Sequence, residues 1–174
     1  IGFETAKAFS SLGAQCILVD INQENLDIAA EKLGPGHFGK ALDVTDPDAA
    51  SEAIKTVIEA YGGLDILVSN AGSAQSGAMV DMPASSVRKA FELNFFSHYE
   101  FAKEAANLLK LQSRGGQILF NISKQAVNPG KNFGAYGMPK ATTFFLMRQL
   151  ALELGADGIR AVSYTHLRAH ETLL

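Results

Sequence analysis

Tyr136 and Lys140 stand four residues apart, and Ser123 lies thirteen before the tyrosine. A lysine one helical turn from a tyrosine lies on the same helix face. Its positive charge favours the phenolate and lowers a pKa that starts at roughly 10. A base works best when that value lies near the operating pH, so this pair can turn a phenol into a proton acceptor near neutrality. The spacing occurs twice: Tyr99 and Lys103 are also four apart, and Ser86 lies thirteen before Tyr99. Their neighbourhoods separate the two sets. Ser123 closes Gln117-Ile118-Leu119-Phe120-Asn121-Ile122, a short apolar run that reads as a buried strand. Ser86 lies in Pro83-Ala84-Ser85-Ser86-Val87-Arg88-Lys89, a polar helix start. Only the first serine can end a parallel strand at its carboxyl side, where ligands bind in open α/β sheets.

The elements that must carry these residues alternate along the chain. Phe3 to Leu12 reads as a helix with Gly13 just past its end. Cys16 to Val19 reads as a buried strand ending at Asp20, and Asn22 as the cap of a helix through Leu33. Gly34-Pro35-Gly36 breaks that helix, and His37 to Leu42 is a weaker strand. Asp46 and Pro47 open a helix to about Ala60, followed by a turn at Gly62-Gly63 and a strand from Asp65 to Val68. Pro83 to Leu93 and Phe95 to Leu111 read as two helices, Gly115-Gly116 turns into the strand before Ser123, and Gly134 to Leu154 is the last helix. Strands separated by helical patterns imply a mostly parallel sheet, and continuous apolar runs imply strands covered on both faces.

At 174 residues, 47% hydrophobic and 19% charged, the chain fits one globular domain. A formal charge of −3 without a basic stripe argues against nucleic acid as a partner. No apolar run approaches the ~18 residues of a membrane span, and no charged leader precedes an apolar core. Cys16 is the single cysteine and reads as an inert core residue, which suits a reducing, cytoplasmic setting. His37 and His98 have no ligand cluster around them in the sequence, so no metal is expected.

Further positions complete a binding pattern. Asp20 ends a strand eighteen residues after Gly2; in dinucleotide-binding units an acid near this spacing accepts hydrogen bonds from the adenosine ribose. Its charge would repel a 2′-phosphate, which favours NAD over NADP. Asn70-Ala71-Gly72 follows a strand, and its small residues let backbone approach a cofactor closely, although an ordinary turn has the same composition. Asp43-Val44 follows another strand and offers a carboxylate and an amide to a base edge; a plain strand-end turn, with Asp46 capping the next helix, is the competing reading.

Asp20, Asp43-Val44, Asn70-Ala71-Gly72, Asn94, Ser123 and Tyr136-x-x-x-Lys140 occur in the order and spacing of the short-chain dehydrogenase/reductase family, which the chain resembles from residue 1 to about 160. The resemblance implies an α/β fold, a Rossmann-type doubly wound parallel sheet, and hydride transfer between NAD and a small alcohol, aldehyde or ketone. In it Tyr136 would be the general acid/base. Lys140 would bind the nicotinamide ribose and lower the tyrosine pKa. Ser123 would hold the substrate oxygen, and Asn94 would hold a water behind the lysine. A mid-helix Asn is also an ordinary satisfied polar group in a kink. Ser123 to Gly134 is further similar to the dehydrogenase part of bifunctional sugar-phosphate aldolase/dehydrogenases. Pro139 departs from the small residue usual before the lysine, and is tolerable in or just after the first helical turn. Phe144, Phe145, Leu146, Met147 and Leu150 read as core or partner surface, and the resemblance implies a homodimer or homotetramer built on this helix and the Phe95–Leu111 helix. The alternative function is a non-catalytic dinucleotide-binding Rossmann module, or an inactive fragment of the enzyme.

Both ends depart from the family pattern. Gly2 resembles the last glycine of a phosphate-binding turn, so the first strand is expected to precede Ile1. That strand normally lies between those ending at Asp20 and Val68, and its absence would expose unpaired edges and remove most of the pyrophosphate cradle. Poor cofactor binding and weak folding are the expectation for this stretch alone. Residues 1–160 are taken as the partial Rossmann domain. Ser163 to Thr172 resembles a translated sequencing adaptor, so 161–174 is expected to be a non-native tail standing where the last strands belong. On that expectation His166 and His170, spaced like a helical metal site, carry no meaning.

Overall fold

A computed structural model describes residues 1–165. The chain divides into two compact units, Ile1–Gly63 and the part from Leu64 onward.

In the first unit α1 (Gly2–Ser11), β1 (Ile17–Asp20), α2 (Gln23–Leu33), β2 (Phe38–Ala41) and α3 (Ala49–Tyr61) follow in order. β1 and β2 pair in parallel, with Asp20 opposite Ala41. Asn22 caps α2 by accepting from Asn25 N–H at 2.9 Å, as its short polar side chain suits it to do. The entry to α3 differs from the expected cap at Asp46. Asp46 Oδ1 accepts from Asp48 N–H at 2.9 Å, closing a turn around Pro47, and the helix starts at Ala49.

In the second unit β3 (Ile66–Ser69) leads to α4 (Ala84–Phe91), a π-helical segment (Glu92–Phe96) and α5 (Ser97–Gln112). The two expected helices are one unbroken run, widened in the middle. After β4 (Gly116–Ile122) come a short 3₁₀ turn (Lys124–Ala126), α6 (Gly134–Leu154) and β5 (Ile159–Thr165). β3, β4 and β5 form a parallel sheet in that order. Parallel pairing needs a crossover between strands, which is where α4–α5 and α6 run.

The core of this unit is built by alternation. Ile118, Phe120 and Ile122 of β4 and Ile159 and Ala161 of β5 are buried against Ala102, Ala106 and Leu109 of α5 and Leu154 of α6. Residues 161–165, which the sequence alone sets apart from the domain, continue β5 and pair with β4 up to Ile122↔Thr165. The reason is visible in their pattern, since Ile159 and Ala161 point inward while Arg160 and Val162 are exposed. His166 and His170 lie outside the described residues.

Candidate active site

β3 and β4 are parallel, so Ser69 and Ile122 end their strands at the same edge of the sheet. The segments leaving that edge are Asn70-Ala71-Gly72 and the turn that starts at Ser123. Asn121 Nδ2 donates to Asn70 Oδ1 at 2.8 Å and ties the two together. Ser123 Oγ accepts from Gln125 N–H at 3.2 Å, which starts the 3₁₀ turn. That turn lies on the beginning of α6: a side chain at Gly137 would stand 3.0 Å from the Gln125 carbonyl oxygen. Ser123 and the first turns of α6, with Tyr136 and Lys140, therefore share one end of the sheet.

Lys140 is 2% exposed. Its Nζ donates to the Asn121 carbonyl at 2.9 Å and lies 3.2 Å from His98 Nε2. It also stands 5.9 Å from the centre of the Tyr136 ring. Burial pushes its pKa down to about 8. Lys103 repeats this spacing at the surface, 6.0 Å from the Tyr99 ring and 2.8 Å from Glu100. There the hydrogen bond to Glu100 pushes the lysine pKa up. The same i,i+4 spacing thus occurs twice, and burial and hydrogen-bond partners separate the two copies.

Asn94 sits inside the π segment and is 1% exposed. Its Nδ2 donates to the carbonyls of Ala90 at 3.1 Å and Ser73 at 3.0 Å, while Oδ1 accepts from Ser73 N–H at 3.3 Å. The amide therefore clamps the backbone just beyond Gly72. The Asn94 carbonyl accepts from Thr143 Oγ1 at 2.8 Å.

Gly72 is where backbone runs tightest over these groups. A Cβ there would lie 2.7 Å from Asn94 Oδ1 and 3.3 Å from Lys140 Nζ, so only glycine leaves both in place. Asn121 Oδ1 is buried and has no hydrogen-bond partner among the described residues. A bare backbone cradle beside an unpaired amide oxygen and a buried ammonium suits the amide- and hydroxyl-rich end of a nicotinamide dinucleotide.

The remaining candidates belong to the first unit. Gly2 is the first residue of α1. Asp20 ends β1 exposed, with Oδ1 accepting from Asn22 N–H at 3.1 Å. Asp43 Oδ1 accepts from Thr45 Oγ1 at 2.7 Å and Thr45 N–H at 2.9 Å, which holds its carboxyl below the ordinary range. That is the geometry of a strand-end turn, with Val44 inside it. Cys16 is half-buried and its thiol is pushed up by that burial. Among the described residues no three His, Cys, Asp or Glu side chains gather as a metal site, and no helix is long and apolar enough to cross a membrane.

His98 is the residue that the sequence does not advertise. It is 0% exposed, with Nδ1 2.5 Å from Ser69 Oγ and Nε2 toward Lys140. Burial and then the Lys140 charge push its pKa down to about 3. Its one signal in the chain is its place four residues after Asn94 in the same helical run.

A parallel α/β sheet carrying Ser, Tyr, Lys and Asn at one edge is the frame of a dinucleotide-dependent oxidoreductase. The family model for short chain dehydrogenases matches residues 1–166, and the chain belongs to that family. The uncharacterized oxidoreductase YuxG of Bacillus subtilis (strain 168) is 32% identical over 169 residues, which is 94% of this chain and 24% of YuxG. The 7alpha-hydroxysteroid dehydrogenase of Escherichia coli (strain K12) is 32% identical over 164 residues, covering 92% of this chain and 63% of that enzyme. In the crystal structure of a short-chain type dehydrogenase/reductase from Mycobacterium marinum the match has a TM-score of 0.88 at 28% identity, over 93% of this chain and 68% of that one. The chain thus spans from a quarter to under two thirds of these two curated relatives.

Proposed function

We propose that the intact protein is an NAD-dependent oxidoreductase that interconverts a small hydroxyl compound and its carbonyl, with Tyr136 as general acid/base. The observation that carries this reading is the buried ammonium of Lys140, held by the Asn121 carbonyl beside the Tyr136 ring at the strand edge. A nicotinamide dinucleotide, when bound, supplies the hydride acceptor or donor. Tyr136 takes the proton from the substrate hydroxyl in oxidation and returns it in reduction. The neighbouring ammonium stabilises negative charge on the phenol oxygen while the proton is away, in a site where burial strengthens that interaction. Ser123 donates a hydrogen bond to the substrate oxygen and orients it toward Tyr136. Lys140 also has a donor to offer a nicotinamide ribose, since an ammonium carries three and two acceptors are accounted for. Asn94, buried in the π segment, is the residue that would hold a water behind the lysine. An aldehyde substrate would react as its hydrate.

The exposed carboxylate of Asp20 supports NAD over NADP, because it accepts from ribose hydroxyls and repels a 2′-phosphate. The sugar-phosphate likeness of 123–134 makes a small polyhydroxy compound the substrate class to test first. Exposed apolar groups on α5 and α6, Leu111 at 83%, Phe145 at 66% and Leu152 at 81%, support a homodimer or homotetramer; the cytoplasm is the proposed setting.

Tyr136→Phe in the full-length protein is the deciding experiment. Turnover of NAD with small alcohols and sugars should fall by ~10²–10⁴-fold, with NADH binding, read by fluorescence, little changed. Unchanged turnover would remove the catalytic reading and leave a dinucleotide-binding module.

A further inference from the structure

We propose that His98 is a positioning residue for Lys140: a neutral imidazole, locked in one tautomer by Ser69, presents Nε2 to the ammonium and holds it charged inside the site. This rests on the reading of Lys140 as part of the active site. Both ring nitrogens of the fully buried His98 are engaged, Nδ1 with Ser69 Oγ at 2.5 Å and Nε2 with Lys140 Nζ at 3.2 Å. An ammonium only donates, so Nε2 must be the bare nitrogen. The ring proton then sits on Nδ1 and is donated to Ser69 Oγ. Ser69 is itself buried at the end of β3, the strand that runs into Asn70-Ala71-Gly72.

Lys140 has no carboxylate within ion-pair reach among the described residues. Its charge is held by two neutral acceptors, the Asn121 carbonyl from β4 and the His98 ring from α5. A buried charge is costly unless its donors are paired, so each acceptor matters more than it would at the surface. Among the described residues, the ionisable groups in contact with the lysine are Tyr136 on its own helix and His98 on α5, while Asn121 of β4 presents a neutral carbonyl. His98 can serve as an acceptor only while neutral. Burial first, and the lysine charge second, push its pKa down to about 3, so the ring stays neutral through the physiological range. A protonated ring would repel the ammonium and release it. The chain Ser69–His98–Lys140 thus reaches the lysine through residues other than Ser123 and Tyr136.

The test reads the lysine directly and needs no substrate. On the full chain labelled at lysine Nζ, the Lys140 signal, identified by its loss in Lys140→Met, is titrated by NMR in wild type, His98→Leu, His98→Gln and Ser69→Ala. The Lys140 midpoint should fall by about one pH unit, a ten-fold loss of proton affinity, in His98→Leu. His98→Gln, whose amide oxygen accepts, should recover most of that loss. Ser69→Ala should give a smaller fall, and long-range proton–nitrogen spectra should show the proton on Nδ1 in wild type and a tautomer mixture in Ser69→Ala. An unchanged midpoint in folded His98→Leu, or a wild-type ring protonated on Nε2, would overturn the proposal. Should His98→Leu not fold by circular dichroism, the wild-type tautomer and the Ser69→Ala titration decide it. Tyr136→Phe turnover does not enter this titration, so failure of the catalytic reading and failure of this one are separate results.

Discussion

Lys103 and Lys140 form a controlled comparison within one chain. Each lies one turn after a tyrosine and about equally far from its ring, at 6.0 and 5.9 Å. Lys103 spends its charge on Glu100 in water, whereas Lys140 is enclosed and paired with neutral acceptors. Replacing Lys103 by Met should leave turnover and the urea midpoint essentially unchanged, because an exposed ion pair contributes little. Lys140→Met should abolish measurable turnover. Gly72→Ala is a sharper probe, because the added Cβ would meet Asn94 Oδ1 at 2.7 Å. Asn94 cannot retreat while Ser73 and Ala90 hold its amide. A loss of about 1–3 kcal/mol in urea unfolding, with weakened NADH binding, is the expected outcome.

The helical run from Ala84 to Gln112 shows how one polar residue reshapes an element. An Asn in the middle of an apolar stretch reads as a break, because its side chain competes for backbone groups. Here the competition is resolved within the helix. Asn94 Nδ2 takes the Ala90 carbonyl, and the Asn94 carbonyl accepts from the Thr143 hydroxyl of α6. Thr143 is 0% exposed, and its single hydroxyl proton lies between two acceptors, the Asn94 carbonyl and the Pro139 carbonyl at 3.0 Å. Thr143→Val keeps the shape and removes the donor, and should cost about 1–3 kcal/mol by chemical denaturation. Pro139 is the sixth residue of α6, in its second turn, where its missing N–H leaves the Ala135 carbonyl without its usual partner. The helix continues through it to Leu154.

Two buried bases give the folded chain a definite response to pH. His98 has an ordinary value of 6.5 and is held down to about 3. Between these values the unfolded chain binds the proton and the folded chain does not, so stability rises with pH across that window and is lost as pH falls from 6.5 toward 3. The contribution is on the order of a few kcal/mol. Lys140 acts in the same sense higher up: with its value lowered from 10.5 to about 8, its burial costs stability at neutral pH, and that cost is relieved as pH rises from 8 to 10.5. Urea midpoints measured from pH 4 to 10 should rise in two steps, and His98→Gln should flatten the lower one.

The strand–helix alternation, the cap at Asn22, the span of α6 and the membership of Tyr136, Lys140, Ser123 and Asn70-Ala71-Gly72 in one edge were legible along the chain, because periodicity and strand-end position are local properties. The extent of β5 was not: the alternation of residues 159–165 becomes meaningful only through their pairing with β4. Nor was His98, which meets Lys140 across 42 residues of sequence. Spacing along a chain sets which side chains share a helix face. Which of two identical faces is shut away from water, and which distant ring completes its hydrogen bonds, depends on how the helices pack on the sheet.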